Sequence, residues 1–360
     1  MAYEDRYLEF EQYIRATESE PKERAELWQT AIGLQKVDGL SVSDYLIETA
    51  KKHIEGEVSI DDVDILISTY YRSEAAHEIP DDIKEADEVS KNIVRALSEP
   101  SFSFSVQGLA GLHRRVFKGV MKHAGDFRQY NITKKEWVLD GETVLYGPFE
   151  DLARTIEYDL EQERKFRYKG LTQIQIIEHL AHFISGIWQI HPFHEGNTRT
   201  IAVFLIKYLR SMGIPAANDM FKEHSWYFRN ALVRASYKGL NISPTTVFVE
   251  RFLRNVILGE KNELRNRDML VGVSLPTSTG QSITSTIPKY QFDTLNCTLE
   301  ELAVLKIIED NPKITQTEIA KSIQKSASTV KRITSDLVKK GIISRRNGRR
   351  NGWWEILSKE

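Results

Sequence analysis

The chain has 360 residues, 41% hydrophobic and 28% charged, with a single cysteine and a formal net charge of −2. This length and ordinary globular composition exclude collagen-like, low-complexity and disordered classes, and predict two or three domains. One cysteine, Cys297, excludes an intramolecular disulfide and any cysteine-cluster metal site, as expected of a reducing compartment.

The opening stretch, MAYEDRYLEFEQ, is acidic and lacks the apolar core of a leader, and no run of 18 or more apolar residues occurs. We therefore expect a cytoplasmic protein with no membrane partner. Charge is uneven along the chain. From Thr298 onward there are 13 Lys/Arg against 8 Asp/Glu, a balance of +5 that leaves −7 for the rest. A basic module after an acidic body points to a nucleic-acid contact.

Between Glu20 and Tyr71 the pattern predicts three short amphipathic helices, broken at Gly39 and Gly56, with Ser41 and Ser59 as caps. Helical periodicity then dominates from about Asp81 to Leu258. One stretch interrupts it. In EWVLDGETVLYGP, Asp140-Gly141 sits between two short runs rich in β-branched and aromatic residues, which predicts a β-hairpin.

The stripe Ile174, Ile177, Leu180, Ala181, Ile184 and Trp188 predicts a helix capped by Thr172, and Pro192 ends it at His191. A second stripe, Ile201, Phe204, Leu205, Tyr208 and Leu209, begins just after Arg199. HPFHEGNTRT, residues 191 to 200, is thus a short loop feeding a helix N-terminus. Free backbone N–H groups and the helix dipole make such a turn an anion site, and Gly196 lets the backbone approach a phosphate closely. Asn197 is placed to cap the helix or donate to that anion, and Arg199 adds a bidentate phosphate donor. A carboxylate at Glu195 beside a phosphate requires a divalent cation between them, which implies Mg²⁺ carried largely by a nucleotide. His191, at the mouth, suits a base that takes a proton from an attacking hydroxyl, and Phe193 pins the loop to the core. The composite reads as phosphoryl or nucleotidyl transfer.

Two plainer readings compete. One is a structural helix-loop-helix corner. The other is a zinc site of His191, His194 and Glu195, but these fall in a loop rather than at i, i+4 on a helix, and nothing obvious completes the set.

Arg267 to Asp293 is poor in bulky apolar residues and reads as a linker or a weakly ordered strand pair. Beyond it, helices over 299–310, 316–324 and 327–340 followed by a basic hairpin resemble a winged helix domain. Its third helix offers Ser328, Thr329, Lys331 and Arg332 to a major groove, while Arg345, Arg346, Arg349 and Arg350 would reach phosphates or the minor groove. Trp353 and Trp354 are expected as one rim and one core residue. A dimerisation or docking module with a solvated basic hairpin is the plainer alternative.

The loop as a whole resembles the Fic family motif, HxFx(D/E)GNxRxxR, matched by His191, Phe193, Glu195, Gly196, Asn197 and Arg199. The resemblance covers about residues 85 to 258. It implies transfer of AMP from ATP, with Mg²⁺, to a Ser, Thr or Tyr hydroxyl of a target protein. His191 would be the base and Glu195 the metal ligand, with Phe193, Gly196, Asn197, Thr198 and Arg199 at the nucleotide. The Asp140-Gly141 hairpin lies where such proteins carry a target-binding flap, here Val138, Leu139, Thr143, Val144 and Leu145. A hairpin edge can register an extended segment by main-chain hydrogen bonds, which fits that role.

Two positions depart from the family. Thr198 replaces the usual glycine, and Ala202 replaces the second motif arginine, which in the family holds the γ-phosphate. The N-terminal segment resembles the antitoxin partner of Fic toxins, whose (S/T)xxxEG motif has its nearest counterpart in LQKVDGL, with Asp38-Gly39 for Glu-Gly. Without an arginine at 202, inhibition by this helix would be steric or through Arg199, and otherwise the helix simply packs.

The expected fold is mainly α. An antitoxin-like helical segment over 1–80 precedes a Fic helical core over 81–260 that carries the β-hairpin flap. A linker over 261–297 and a winged helix domain over 298–360 follow. The leading expectation is a protein adenylyltransferase that binds DNA; the alternatives are a transcriptional regulator whose core binds nucleotide without transfer, and an enzyme of other nucleotidyl or phosphoryl specificity. Self-association is left open.

Overall fold

The computed structural model describes residues 6–14, 19–214, 219–240, 242–271, 304–305, 307–308, 311–322, 326–339, 342–346 and 352–357. The chain divides into two units, one of residues 1–166 and 180–273 and the other of residues 167–179 and 274–360.

In the first unit a 3-10 turn, Arg6–Phe10, leads into one turn of helix, α1 (Glu11–Ile14). The spine is α2 (Ser19–Gln35). Its Ala25, Trp28, Ala31, Ile32 and Leu34 are buried, and so are Gln29, Thr30 and Gln35. A helix buried on this many faces belongs to a core. It packs against α5 (Asp81–Ser98) and α10 (Asp219–Ser236). At the α10 crossing the two backbones touch, because a Cβ on Gly33 would lie 2.2 Å from the Lys222 Cα. Polar groups at this crossing are paired: the Ser225 hydroxyl donates to the Gly33 carbonyl at 2.7 Å and Lys222 Nζ to Gln29 Oε1 at 3.2 Å.

After α2 a 3-10 turn, Lys36–Asp38, closes on Gly39 in the left-handed region. α3 (Asp44–Glu55) is capped by Ser43, whose Oγ accepts the Leu46 N–H at 3.0 Å, rather than by Ser41. Ser43 holds the position because Asp87 on α5 anchors it, accepting the Ser43 N–H at 2.9 Å. α4 (Ile60–Tyr70) opens at Ser59, as expected, with Asp62 completing a capping box.

The body continues with α6 (Val106–Val116), α7 (Leu152–Lys165), α8 (Gln173–Ile190), α9 (Asn197–Ser211) and α11 (Val247–Leu258). Both stripes expected on α8 and α9 are buried, and Thr172 caps α8 by accepting the Gln175 N–H at 3.2 Å. Residues 261–271, inside the stretch expected as linker, carry a 3-10 turn, Asn266–Met269, with Met269 fully buried. Residues 272–303 lie outside the described residues.

Around Asp140-Gly141 the chain reverses as expected, and the Glu136 N–H donates to the Glu142 carbonyl at 2.9 Å. The reversal is a single 3-10 turn, Trp137–Leu139, rather than a strand ladder. Val138 and Leu139 turn into the core, and the Val138 carbonyl accepts from Val271 at 2.9 Å, so this arm bonds away from its partner.

In the second unit α12 (Gln316–Ser322) and α13 (Ala327–Lys339) precede β1 (Ile343–Arg346) and β2 (Trp353–Ile356). The strands pair antiparallel with Arg345 opposite Trp354. Val304, Leu305, Ile308, Ile319, Val330, Leu337 and Trp354 form the core of this module, and Trp353 is its half-buried neighbour. Trp354 also donates its indole N–H to the Ile314 carbonyl at 3.1 Å, which explains why it is the inner tryptophan.

Candidate active site

The loop between α8 and α9 is held from three directions. Where Pro192 stops α8, His191 takes a left-handed backbone with φ of 50°, an uncommon state for a non-glycine residue. Arg128, buried, reads the freed carbonyls: its Nε donates to His191 O at 2.9 Å, and its terminal nitrogens to Ile190 at 3.2 Å, Tyr130 at 2.7 Å and Gly147. A cation at a helix C-terminus is the favourable sign. Asn197 clamps the other end, accepting the Phe193 N–H at 3.0 Å and donating to the Phe193 carbonyl at 2.8 Å. Phe193 itself stacks on His113 at 3.8 Å.

His113 is fixed as well. Its Nδ1 accepts the Gly125 N–H at 2.8 Å, so Nε2 carries the proton that meets the Glu195 carbonyl at 3.0 Å. Burial lowers its pKa to about 4, which keeps it neutral. Gly196 follows with φ of 69°, and a Cβ there would lie 2.2 Å from the Phe117 ring. Only glycine satisfies both demands.

His191 is buried, and neither ring nitrogen makes a well-formed hydrogen bond among the described residues, although the Trp188 carbonyl is near enough to favour the protonated ring. Burial first, then the charge of Lys134, with Arg229 and Arg128 adding, holds its pKa well below the usual histidine value. The imidazole is therefore the neutral, proton-accepting form. Around it stand Tyr146 at 4.5 Å and Trp188 at 5.2 Å. The Tyr146 hydroxyl donates to Glu136 Oε1 at 3.0 Å, and Arg229 grips the same carboxylate at 2.7 and 3.1 Å.

Arg199 is buried and shared among three residues, with hydrogen bonds from its two terminal nitrogens and an ion pair without hydrogen-bond geometry at Nε. Its Nε lies 2.8 Å from Asp38 Oδ2, one terminal nitrogen donates to Gln35 Oε1 at 3.0 Å, and the other to Glu85 Oε1 at 2.8 Å. Its carbon centre sits 4.8 Å from the Phe117 ring. The acid expected to clasp from the N-terminal segment thus meets the first motif arginine, while Ala202 is fully buried and apolar.

The side chains of Asn197 and Thr198, placed at the nucleotide by the family resemblance, both bond within the protein here: Asn197 holds the Phe193 backbone and the Thr198 hydroxyl accepts the Trp188 indole N–H at 2.9 Å. First-turn N–H groups of α9 still lack intrahelical partners, as at any helix start. Glu195 is exposed at the tip of the loop, and His194 meets the Tyr130 hydroxyl at 3.0 Å. Among the described residues no group of three or more His, Cys, Asp or Glu is arranged to hold a metal ion. The turn near the site buries Val138, Leu139 and Val144 and exposes Thr143 and Leu145. Leu145 is 84% exposed, though Gln189 takes its carbonyl at 2.9 Å.

His113, Phe117, Arg128, Gln35 and Glu85 are neighbours of the loop and of Arg199 that the motif does not announce. Each acts by contact across the fold. The one available signal is the histidine on the α6 stripe beside Leu109, Leu112 and Val116.

In the winged module, Lys331 and Arg332 are exposed on α13. Thr329 engages Ser326 through their hydroxyls at 2.8 Å, and Ser328 lies in the first turn of α13. The Arg345 guanidinium lies 4.6 Å from the Trp354 ring, and Arg346 pairs with Glu355. Arg349 and Arg350 lie outside the described residues.

Residues 103–209 match the Fic/DOC family, and residues 301–344 match the family of winged helix-turn-helix DNA-binding domains. The chain therefore carries a Fic/DOC domain and a winged helix-turn-helix domain. It is 26% identical over 113 residues to protein adenylyltransferase VbhT of Bartonella schoenbuchensis, which is 31% of this chain and 22% of that protein. The chain thus spans about a fifth of that relative's length. A solved Fic family protein from Desulfovibrio desulfuricans is similar at 13% identity with a TM-score of 0.45, covering 99% of this chain and 94% of its own. The N-terminal Fic domain of a Bartonella effector protein is similar at 18% identity with a TM-score of 0.38, covering 48% of this chain and 81% of its own. Among the described residues no helix is long and apolar enough to cross a membrane.

Proposed function

We propose that this chain is a protein adenylyltransferase that moves AMP from ATP to a Ser, Thr or Tyr hydroxyl of a target protein. The observation that carries this reading is His191: buried, neutral and with no well-formed hydrogen bond at either ring nitrogen among the described residues, it stands beside the N-terminus of α9. A neutral imidazole there takes the proton of the attacking hydroxyl as the new phosphoester bond forms and pyrophosphate leaves. The α9 amides and Arg199 orient the phosphates. Glu195 would be the protein's carboxylate for Mg²⁺, since a lone exposed carboxylate suits an ion that is carried largely by a nucleotide. Bound Mg²⁺ neutralises polyphosphate charge.

In this reading the Lys36–Asp38 turn restrains the enzyme, because Asp38 holds the arginine that the nucleotide needs. The winged module contacts DNA, and the relative's printed activity supports the transfer chemistry. Incubation with α-labelled ATP and Mg²⁺ tests it. Protein-bound label in wild type that disappears in His191→Ala is the expected result, and absence of label in wild type with its target or with Asp38→Gly overturns it.

A second reading is favoured by Ala202 and by the three partners on Arg199: a DNA-binding regulator whose core takes nucleotide as a ligand. Nucleotide binding without label in any variant would select it.

A further inference from the structure

The site has lost a cation and kept its acids. Ala202 is apolar where the motif calls for arginine, while Asp38, Glu85, Glu136 and Glu195 all remain near the loop. Arg199 is divided among Gln35, Asp38 and Glu85, and Arg229 is gripped by Glu136. A nucleoside triphosphate needs positive charge for its terminal phosphates, and neither arginine is free to give it.

Lys134 is. It lies on the arm entering the Trp137–Leu139 turn, where its N–H donates to Thr143 Oγ1 at 3.0 Å. Two residues on, Glu136 has an extended backbone and is 1% exposed, with its carboxylate on Tyr146 and Tyr146 against His191. Side chains at i and i+2 of an extended segment share a face, which puts Lys134 on the same side of this arm as Glu136. It is half-buried, the charges of Arg229, Asp38, Glu136 and Glu195 act on it and its own acts on His191, and its ammonium makes no hydrogen bond or close ion pair among the described residues. A partly desolvated, uncommitted ammonium is costly and points to an anionic ligand.

We propose that Lys134 holds the terminal phosphates of the nucleotide in place of the arginine absent at position 202. This rests on the adenylyltransferase reading above. A lysine reaching in from the turn, rather than from α9, ties phosphate binding to the segment that borders the target. Lys134 is a nucleotide-binding residue, and the group it recognises is the β,γ-diphosphate of a nucleoside triphosphate.

The test is calorimetric binding of ATP and of AMP, each with Mg²⁺, to the full chain and to Lys134→Met, which keeps the stem and removes the charge. Lys134→Met should weaken ATP by about 10- to 100-fold and AMP by less than about 2-fold, as expected for loss of one charge-assisted phosphate contact. Lys134→Arg should stay within about 3-fold of wild type. A thermal melt near that of wild type confirms that Lys134→Met is folded, and Lys134→Gln serves if it is not. Equal loss for both nucleotides, or none for either, overturns the assignment of Lys134 while leaving wild-type labelling intact. Wild type that binds neither nucleotide overturns the adenylyltransferase reading, and with it this one.

Discussion

The Asp38 carboxylate and the Arg199 guanidinium form an ion pair at 2.8 Å in which the arginine is buried and the acid half-exposed. Removing Asp38 leaves Arg199 with Gln35 and Glu85, so the cost in stability stays near 1–2 kcal/mol rather than the 3–5 kcal/mol of a fully orphaned buried charge. Asp38→Gly should raise self-modification a few-fold, and a further Glu85→Gln should raise it again. Label incorporation reports both steps, and unchanged incorporation in the double variant would make this contact packing alone.

Gly196→Ala places a methyl 2.2 Å from the Phe117 ring on a backbone with φ of 69°. Overpacking and left-handed strain together should cost about 2–4 kcal/mol. Urea unfolding measures it, and a loss under about 0.5 kcal/mol would show that Phe117 moves aside freely.

Thr198→Val is nearly isosteric but strands the buried Trp188 indole N–H that now reaches the hydroxyl at 2.9 Å. The expected loss is about 1–3 kcal/mol, with Thr198→Ser close to wild type. Matched denaturation curves for all three proteins check this; equal stability of the valine variant contradicts it.

How much of this was legible in the sequence follows from where the partners lie. The α8 and α9 stripes, the stop at His191 and the Gly196 turn are local consequences of periodicity, proline and glycine, and all were readable from the residues. The engagement of Arg199 by Glu85 and Gln35, the His113 bond to the loop and the Arg128 cradle are contacts between distant segments, which no local pattern encodes. The flap shows the converse. Its Asp-Gly signal gave a true reversal, but inward packing of Val138 and Leu139 overrode the β-propensity of the arms.

His113 titrates with a folded pKa of about 4, lowered by burial from an ordinary value of 6.5. A depressed histidine pKa contributes stability that is present above pH 6.5 and lost as pH falls toward 4. His113→Gln should therefore be less stable than wild type by about 2 kcal/mol at pH 7, with the gap closing between pH 6.5 and 4. Chemical denaturation across that range checks the sign, and a gap that widens in acid would reverse the assignment.

For the winged module, Lys331 and Arg332 are exposed cations in the first half of α13, whereas Arg346 is already paired with Glu355. Changing Lys331 and Arg332 together to alanine should lower the salt slope of DNA binding by about 2, and changing Arg346 should lower it less. Binding anisotropy at several salt concentrations measures the slopes. A mobility shift that survives deletion of residues 298–360 would assign DNA contact elsewhere.

The meeting of Gly33 with the Lys222 backbone limits what kind of brake the N-terminal segment would be if it restrains the site as proposed. A helix that another helix touches backbone to backbone cannot swing out like a detachable plug without exposing Trp28 and Leu34 to water. Release must then be a small event, a rewinding of the three residues before Gly39 that lets go of one guanidinium while the rest of the molecule stays shut. In the proposed reading such a brake would be carried within the folded chain itself, and it would answer to whatever competes for Arg199 rather than to the arrival or loss of another polypeptide.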